Sequence, residues 1–139
     1  MIVAQPTLAN PLPLKRREGD GGIDVATPQD YLLKVGKTVS IDSGWRFQCP
    51  EGWHLLALQK SRYAGKLQVE APLIDNAYRG SVHIVVTNTD DIDHYIQRGD
   101  YLMQLLPVLS PHMDIVVEDG QMTLTERGEG GFGSTQQEG

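Results

Sequence analysis

The chain has 139 residues, 40% of them hydrophobic, which is one domain's worth and enough to bury about two-thirds of the unfolded surface. Twelve Lys and Arg against 18 Asp and Glu leave a formal charge of −6, which excludes a general nucleic-acid backbone binder but not a small anion held by a few local cations. No apolar run approaches the ~20 residues of a membrane span, Met1 to Pro6 lacks the basic head of a signal peptide, and Cys49 has no possible partner, so the expected setting is intracellular and cytoplasmic, without membrane or nucleic-acid partners.

Fifteen glycines and eight prolines punctuate the chain at short intervals, as turns do in an all-β protein. Residues 1–22 are Pro-rich, then charged, and show no helical period. Ile23 to Ala26 is a strand candidate stopped by Pro28, and Tyr31 to Val35 is too short to assign. Thr38 to Ile41, Trp45 to Cys49 and Trp53 to Leu58 read as strands, separated by turns at Asp42-Ser43-Gly44 and Pro50-Glu51-Gly52. Ser61 to Lys66 suits a single helical turn. Leu67 to Val69 and Leu73-Ile74 flank Ala71-Pro72, which predicts a hairpin or bulge. Val82 to Thr87, largely β-branched, predicts a central strand. After an acidic loop at Thr89 to Asp93, strands are expected at Tyr101 to Leu109, Met113 to Val117 and Met122 to Leu124. With no repeat and no helix of useful length, the class is all-β: a jelly roll, sandwich or barrel.

The tail carries the first functional signal. Arg127-Gly128-Glu129-Gly130-Gly131-Phe132-Gly133 places four glycines within six positions, followed by Ser134 and Thr135. A mobile backbone with exposed amides can wrap phosphate oxygens. Arg127 adds a planar cation, the two hydroxyls add donors, and Phe132 can stack on a flat ring. The segment is not a P-loop, which ends in Gly-Lys-Ser/Thr between a strand and a helix.

This tail resembles the fifth motif of the trimeric dUTPases, Arg-Gly-x-Gly-Gly-Phe-Gly-Ser-Thr-Gly, with Gln136 in place of the final Gly. The other motifs follow in the family's order: Gly22-Ile23-Asp24-Val25, Lys60-Ser61-Arg62, Leu73-Ile74-Asp75-Asn76-Ala77-Tyr78-Arg79-Gly80, and Gly99-Asp100-Tyr101-Leu102-Met103-Gln104-Leu105. The resemblance implies a jelly-roll-like dUTPase fold (β-clip), a homotrimer with exchanged C-terminal arms, and hydrolysis of dUTP to dUMP and pyrophosphate with Mg²⁺. It implies a barrel domain over residues 1–126 and a flexible lid over 127–139 that belongs to it.

By the same resemblance, Asp75 is the catalytic base that orients the attacking water, walled from solvent by Leu73 and Ile74. Tyr78 packs under the deoxyribose, and Asp24 binds the Mg²⁺ through water. Ser61 and Gln104 bind phosphate, Arg62 is a further substrate-binding candidate that either adds a cation or crowds the site, and Arg127, Phe132, Gly133, Ser134 and Thr135 form the lid. Three features depart from the family's pattern: Arg62 where a small residue is usual, Pro72 where a Gly is usual, and a short segment from Ser61 to Asp75. They bear on base choice and phosphate geometry more than on fold. Two rival functions stand beside this one. A dCTP deaminase would carry a Glu base on the strand from Ser81 to Val86, which has none, and a non-catalytic nucleotide-binding module would bind dUTP without turnover.

Overall fold

The computed structural model describes residues 1–133, and Ser134 and Thr135 lie outside the described residues. Eleven strands make up nearly all of the regular structure: β1 (Val3–Pro6), β2 (Ile23–Ala26), β3 (Tyr31–Leu33), β4 (Thr38–Asp42), β5 (Trp45–Gln48), β6 (Trp53–Gln59), β7 (Leu67–Val69), β8 (Leu73–Ile74), β9 (His83–Asn88), β10 (His94–Ile96) and β11 (Tyr101–Leu109). The expected helical turn is a 3₁₀ turn at Ser61–Tyr63. The all-β expectation holds, and among the described residues no helix is long and apolar enough to cross a membrane.

Four small antiparallel sheets share one core. Their strand orders are β1-β5, β10-β3, β2-β11-β6-β8 and β4-β9-β7. No strand pairs with its immediate neighbour in sequence, so each turn carries the chain from one sheet to another, as in a jelly roll. Gly44 and Gly52, at φ of 81° and 82°, make two of these turns in the left-handed region that glycine adopts without strain.

Alternation explains the inward faces. Along β9, Ile84, Val86 and Asn88 are buried while His83 is exposed. Ile84 and Val86 meet Ile41 of β4, Leu67 and Val69 of β7, and Leu102, Met103 and Leu105 of β11 in one apolar cluster. The buried Asn88 amide is fully used: Nδ2 donates to the Leu33 and Ile92 carbonyls at 2.9 and 2.8 Å, and Oδ1 accepts from the Asp90 amide at 2.9 Å. A buried polar side chain is tolerated when its hydrogen bonds are met in this way.

The structure corrects three sequence expectations. First, β1 and β10 form where no strand was assigned, because each is completed by a distant partner: β1 pairs with β5, and β10 with β3. Second, Leu67–Val69 and Leu73–Ile74 do not form a hairpin. β7 pairs with β9 and β8 with β6, and Ala71-Pro72 is the crossing between two sheets. Pro72 fits there because only its carbonyl is used, accepting from the Ala57 amide at 3.1 Å. Third, Met113 to Val117 and Met122 to Leu124 form no strand. Their apolar side chains lie in the open, Ile115 91% and Val117 95% exposed, because a strand needs a ladder partner and the described residues offer them none.

Candidate active site

Asp75 directly follows β8, and the chain turns there: the Tyr78 amide donates to the Asp75 carbonyl at 3.0 Å. With Leu73, Ile74 and Tyr78, Asp75 lines a cavity of about 340 Å³ on the outer side of β9, where His83 and Val85 form part of the wall. That volume falls at the lower end of the range for small-molecule sites. The Tyr78 hydroxyl donates to the Ser81 carbonyl at 2.7 Å, and its ring lies against Gly80. A Cβ at Gly80 would fall 2.6 Å from the ring carbon Cζ, so only glycine lets the tyrosine lie where it does.

Asn76 fixes this turn to the body of the fold, and sequence reasoning gave it no role. Its main-chain amide donates to Nδ1 of His54 at 3.0 Å. Its side-chain Nδ2 donates to the Pro50 and Trp53 carbonyls, both at 2.8 Å, and reaches the Cys49 carbonyl at 3.3 Å. The residue next to Asp75 is therefore tied to the β5–β6 turn through both its backbone and its side chain. A short polar residue between Asp75 and Ala77 was the only available signal, and it reads equally well as an ordinary turn residue. Arg79 folds back onto main-chain carbonyls of Asn76 and Tyr78.

A second group of expected residues gathers on β2, β6 and β11. Gln104 on β11 stands opposite Asp24 on β2 and Leu58 on β6. Lys60, just past β6, places Nζ 2.7 Å from Oδ1 of Asp24, with the two side chains 27% and 26% exposed. Lys60 was quoted in the second motif but given no function, and this ion pair is what the sequence could not display. Ser61 opens the 3₁₀ turn beside it. Gly22 leaves room for the Gln104 amide, since a Cβ there would sit 2.7 Å from Oε1. The Arg62 guanidinium lies over the Tyr63 ring at 5.0 Å.

The donor set at Asp24 is a single hard carboxylate beside an ammonium. No group of three His, Cys, Asp or Glu among the described residues could cage a metal. That chemistry suits a Mg²⁺ ion that arrives on a polyphosphate and keeps its waters, and it does not suit a resident ion held by protein ligands alone.

The structure thus brings Leu73, Ile74, Asp75 and Tyr78 to one cavity, and Asp24 and Gln104, with Ser61 next to Lys60, to another place. The cavity at Asp75 is lined by none of Ser61, Arg62, Asp24, Gln104 or the described residues of the tail. The tail bends on itself: Nε of Arg127 donates to the Gly130 carbonyl at 2.6 Å. Phe132 is fully exposed at a φ of 45°, a left-handed conformation that costs a non-glycine residue energy, and Gly133 follows at 79°.

The dUTPase family profile matches residues 9–136. The deoxyuridine 5'-triphosphate nucleotidohydrolase of Paramecium bursaria Chlorella virus 1 is 31% identical over 127 residues, covering 88% of each chain. The structure of a dUTPase variant from Staphylococcus bacteriophage 80alpha, bound to dUpNHpp, superposes with a TM-score of 0.85 at 21% identity, over 97% of this chain and 98% of that one. A dUTPase variant from phage phi11 of S. aureus, described with a structural Mg(II) ion, gives 0.76 at 21% identity, over 87% of this chain and 99% of that one. The profile spans most of the sequence and the fold agrees along nearly its whole length, so the chain belongs to the dUTPase family.

Proposed function

We propose that this protein hydrolyses dUTP to dUMP and pyrophosphate by attack of water on the α-phosphorus, in a homotrimer whose sites are each assembled from more than one chain. One observation supports the assembly: the Asp75 cavity and the Asp24–Lys60–Gln104 group lie apart on a chain whose apolar arm is exposed among the described residues. Exposed apolar runs of this kind are surfaces for other chains.

Asp75 accepts a proton from the attacking water and holds that water in line with the bond to be broken. It is held in turn by the Asn76 anchor. The Tyr78 ring, pressed on Gly80, gives the deoxyribose a flat apolar floor and leaves a 2'-hydroxyl no room. Leu73 and Ile74 keep bulk water from the carboxylate. Ser61, Gln104 and the cations Lys60 and Arg62 receive phosphate oxygens. Asp24 would face the water shell of a Mg²⁺ ion arriving on the triphosphate, and that ion would supply further charge neutralisation. Arg127, Gly133, Ser134 and Thr135 close over the phosphates, and Phe132 covers the base, so that the closed site excludes solvent. The cytoplasmic nucleotide pool is the setting in which such a substrate is met.

The test is pyrophosphate release from dUTP, dCTP, dTTP and UTP with Mg²⁺, beside Asp75→Asn. The expected result is turnover of dUTP that falls by about 10²- to 10⁴-fold in the variant, the usual contribution of a general base. Tight dUTP binding without turnover by the unaltered protein would instead establish a binding module.

A further inference from the structure

Ser81 stands between the Asp75 cavity and the body of the fold, and its bonds run to both. It lines the cavity with Tyr78 and precedes β9, whose ladder with β4 ends at the Asp42–His83 pair. Its carbonyl accepts the Tyr78 hydroxyl at 2.7 Å. Its own hydroxyl donates to Oδ1 of Asp42, the last residue of β4, which leaves the Thr7 hydroxyl, 3.1 Å away, to donate to Ser81. The same Asp42 oxygen accepts the Gly44 amide at 2.9 Å, and the Gly44 carbonyl accepts the Thr7 amide at 2.8 Å. One residue further on, main chain takes over: the Val82 amide donates to the Trp45 carbonyl at 2.8 Å, and the Val82 carbonyl accepts the Ser43 amide at 3.0 Å. The bonds from Asp42 through Ser81 to Tyr78 thus tie the turn between β4 and β5 to the hydroxyl end of the tyrosine ring.

The ring needs such a hold. Tyr78 is 46% exposed, and both its hydrogen bond and its close approach to Gly80 gather at the hydroxyl end. An apolar surface refuses a substrate that merely adds a hydroxyl by only about a hundredfold. What the ring sets against a 2'-hydroxyl is bulk, and bulk excludes only while it cannot move aside. A displacement of about 1 Å is enough to change a rate on the order of a hundredfold. Fixing the hydroxyl end is therefore what makes the ring a barrier as well as a floor. An ionised acceptor suits the task, since hydrogen bonds to a carboxylate are roughly twice as strong as neutral ones.

From these bonds we infer that Asp42 is a positioning residue for sugar choice: through Ser81 it fixes the Tyr78 ring, and so sets the preference for a deoxyribonucleoside over a ribonucleoside triphosphate. Asp42 does not line the cavity and acts only through Ser81. It lies at the end of a strand that carries none of the five motifs. The inference rests on the proposed dUTP hydrolysis, in which the Tyr78 ring underlies the deoxyribose.

The test compares kcat/KM for dUTP and UTP in the protein and in Asp42→Ala, Ser81→Ala and Asp42→Asn. In Asp42→Ala and Ser81→Ala the preference for dUTP is expected to fall about tenfold or more. Asp42→Asn keeps the oxygen that receives Ser81 and Gly44, so its ratio stays closer to that of the unaltered protein than to that of Asp42→Ala. Tyr78→Phe removes the last bond of the series, and in that background Asp42→Ala changes the ratio no further. Equal losses for both substrates with the ratio unchanged overturn the inference, because a role in stability alone does just that. Effects of Asp42→Ala and Tyr78→Phe on the ratio that simply add overturn it as well, as does an unaltered protein that does not prefer dUTP. Should Asp42→Ala not fold, Ser81→Ala, which keeps its main-chain carbonyl, decides the matter by the same ratio. Calorimetric affinities for the α,β-imido analogues of dUTP and UTP read the preference without turnover. A failure of catalysis, which would sink the dUTPase reading, is thereby separated from a failure of sugar choice.

Discussion

The Asn76 anchor makes a prediction whose size can be worked out from its contacts. Nδ2 has two hydrogens and meets three carbonyls, those of Pro50 and Trp53 at 2.8 Å and that of Cys49 at 3.3 Å, so Asn76→Ala removes about two hydrogen bonds' worth of interaction. At roughly 1 kcal/mol each the cost is about 2 kcal/mol. It stays near that value because the Pro50 carbonyl belongs to an exposed residue that water can serve, while the half-buried Cys49 is harder to reach. The catalytic effect is larger than this would suggest. The variant keeps the main-chain bond to His54 but frees the side-chain end of the turn, and a reacting group displaced by about 1 Å loses on the order of a hundredfold in rate. The expected outcome is a fall of about ten- to a hundredfold in kcat, little change in KM, and a shift in the urea midpoint equivalent to about 2 kcal/mol. Steady-state kinetics and equilibrium unfolding measure the two separately. A kcat within twofold of the unaltered protein, in a variant that has lost the expected stability, would refute the claim that this anchor positions Asp75.

Three further outcomes are expected. Gly80→Ala leaves the backbone unstrained but places a methyl group 2.6 Å from the Tyr78 ring; the ring must move, and discrimination against UTP should weaken about tenfold or more, read as the ratio of kcat/KM for dUTP to that for UTP. Ile115→Asp combined with Val117→Asp alters residues that touch little in the single chain, so the body folds but the assembly is lost; a sedimentation mass that stays trimeric would exclude the arm from the interface. Burial alone would raise the pKa of Asp42, but the Ser81 hydroxyl, the Gly44 amide and the charge of His83 outweigh it and hold the carboxyl below its ordinary 3.8. Its stabilising contribution is therefore present above that value and lost as pH falls through the lowered one. Circular dichroism across an acid titration should show less of this loss in Asp42→Asn, and an identical acid limb would count against the assignment.

The elements legible in the sequence were those whose own residues alternate or branch. β9 and β11 declare themselves through Ile84-Val85-Val86 and Leu102-Met103, and the turns at Gly44 and Gly52 through glycine itself. β1 and β10 are strands only because β5 and β3 lie beside them, and that juxtaposition spans dozens of residues. The arm shows the reverse case: Met113 to Val117 has a strand's composition and no ladder among the described residues. At the site, Asp75 and Tyr78 were readable through the resemblance. The Asn76 anchor and the Lys60–Asp24 pair depend on where side chains meet, which local spacing does not encode.

The close approach of Gly22 to Gln104 constrains how this protein can drift. The two positions are 82 residues apart in sequence, yet the space a methyl group would need at one is filled by the amide of the other. A side chain at position 22 displaces the Gln104 amide, and a smaller residue at 104 opens a gap beside the chain entering β2. The first and fourth motifs therefore meet sterically at this point, although their residues are far apart in sequence. A pair of substitutions made together could restore what either one destroys.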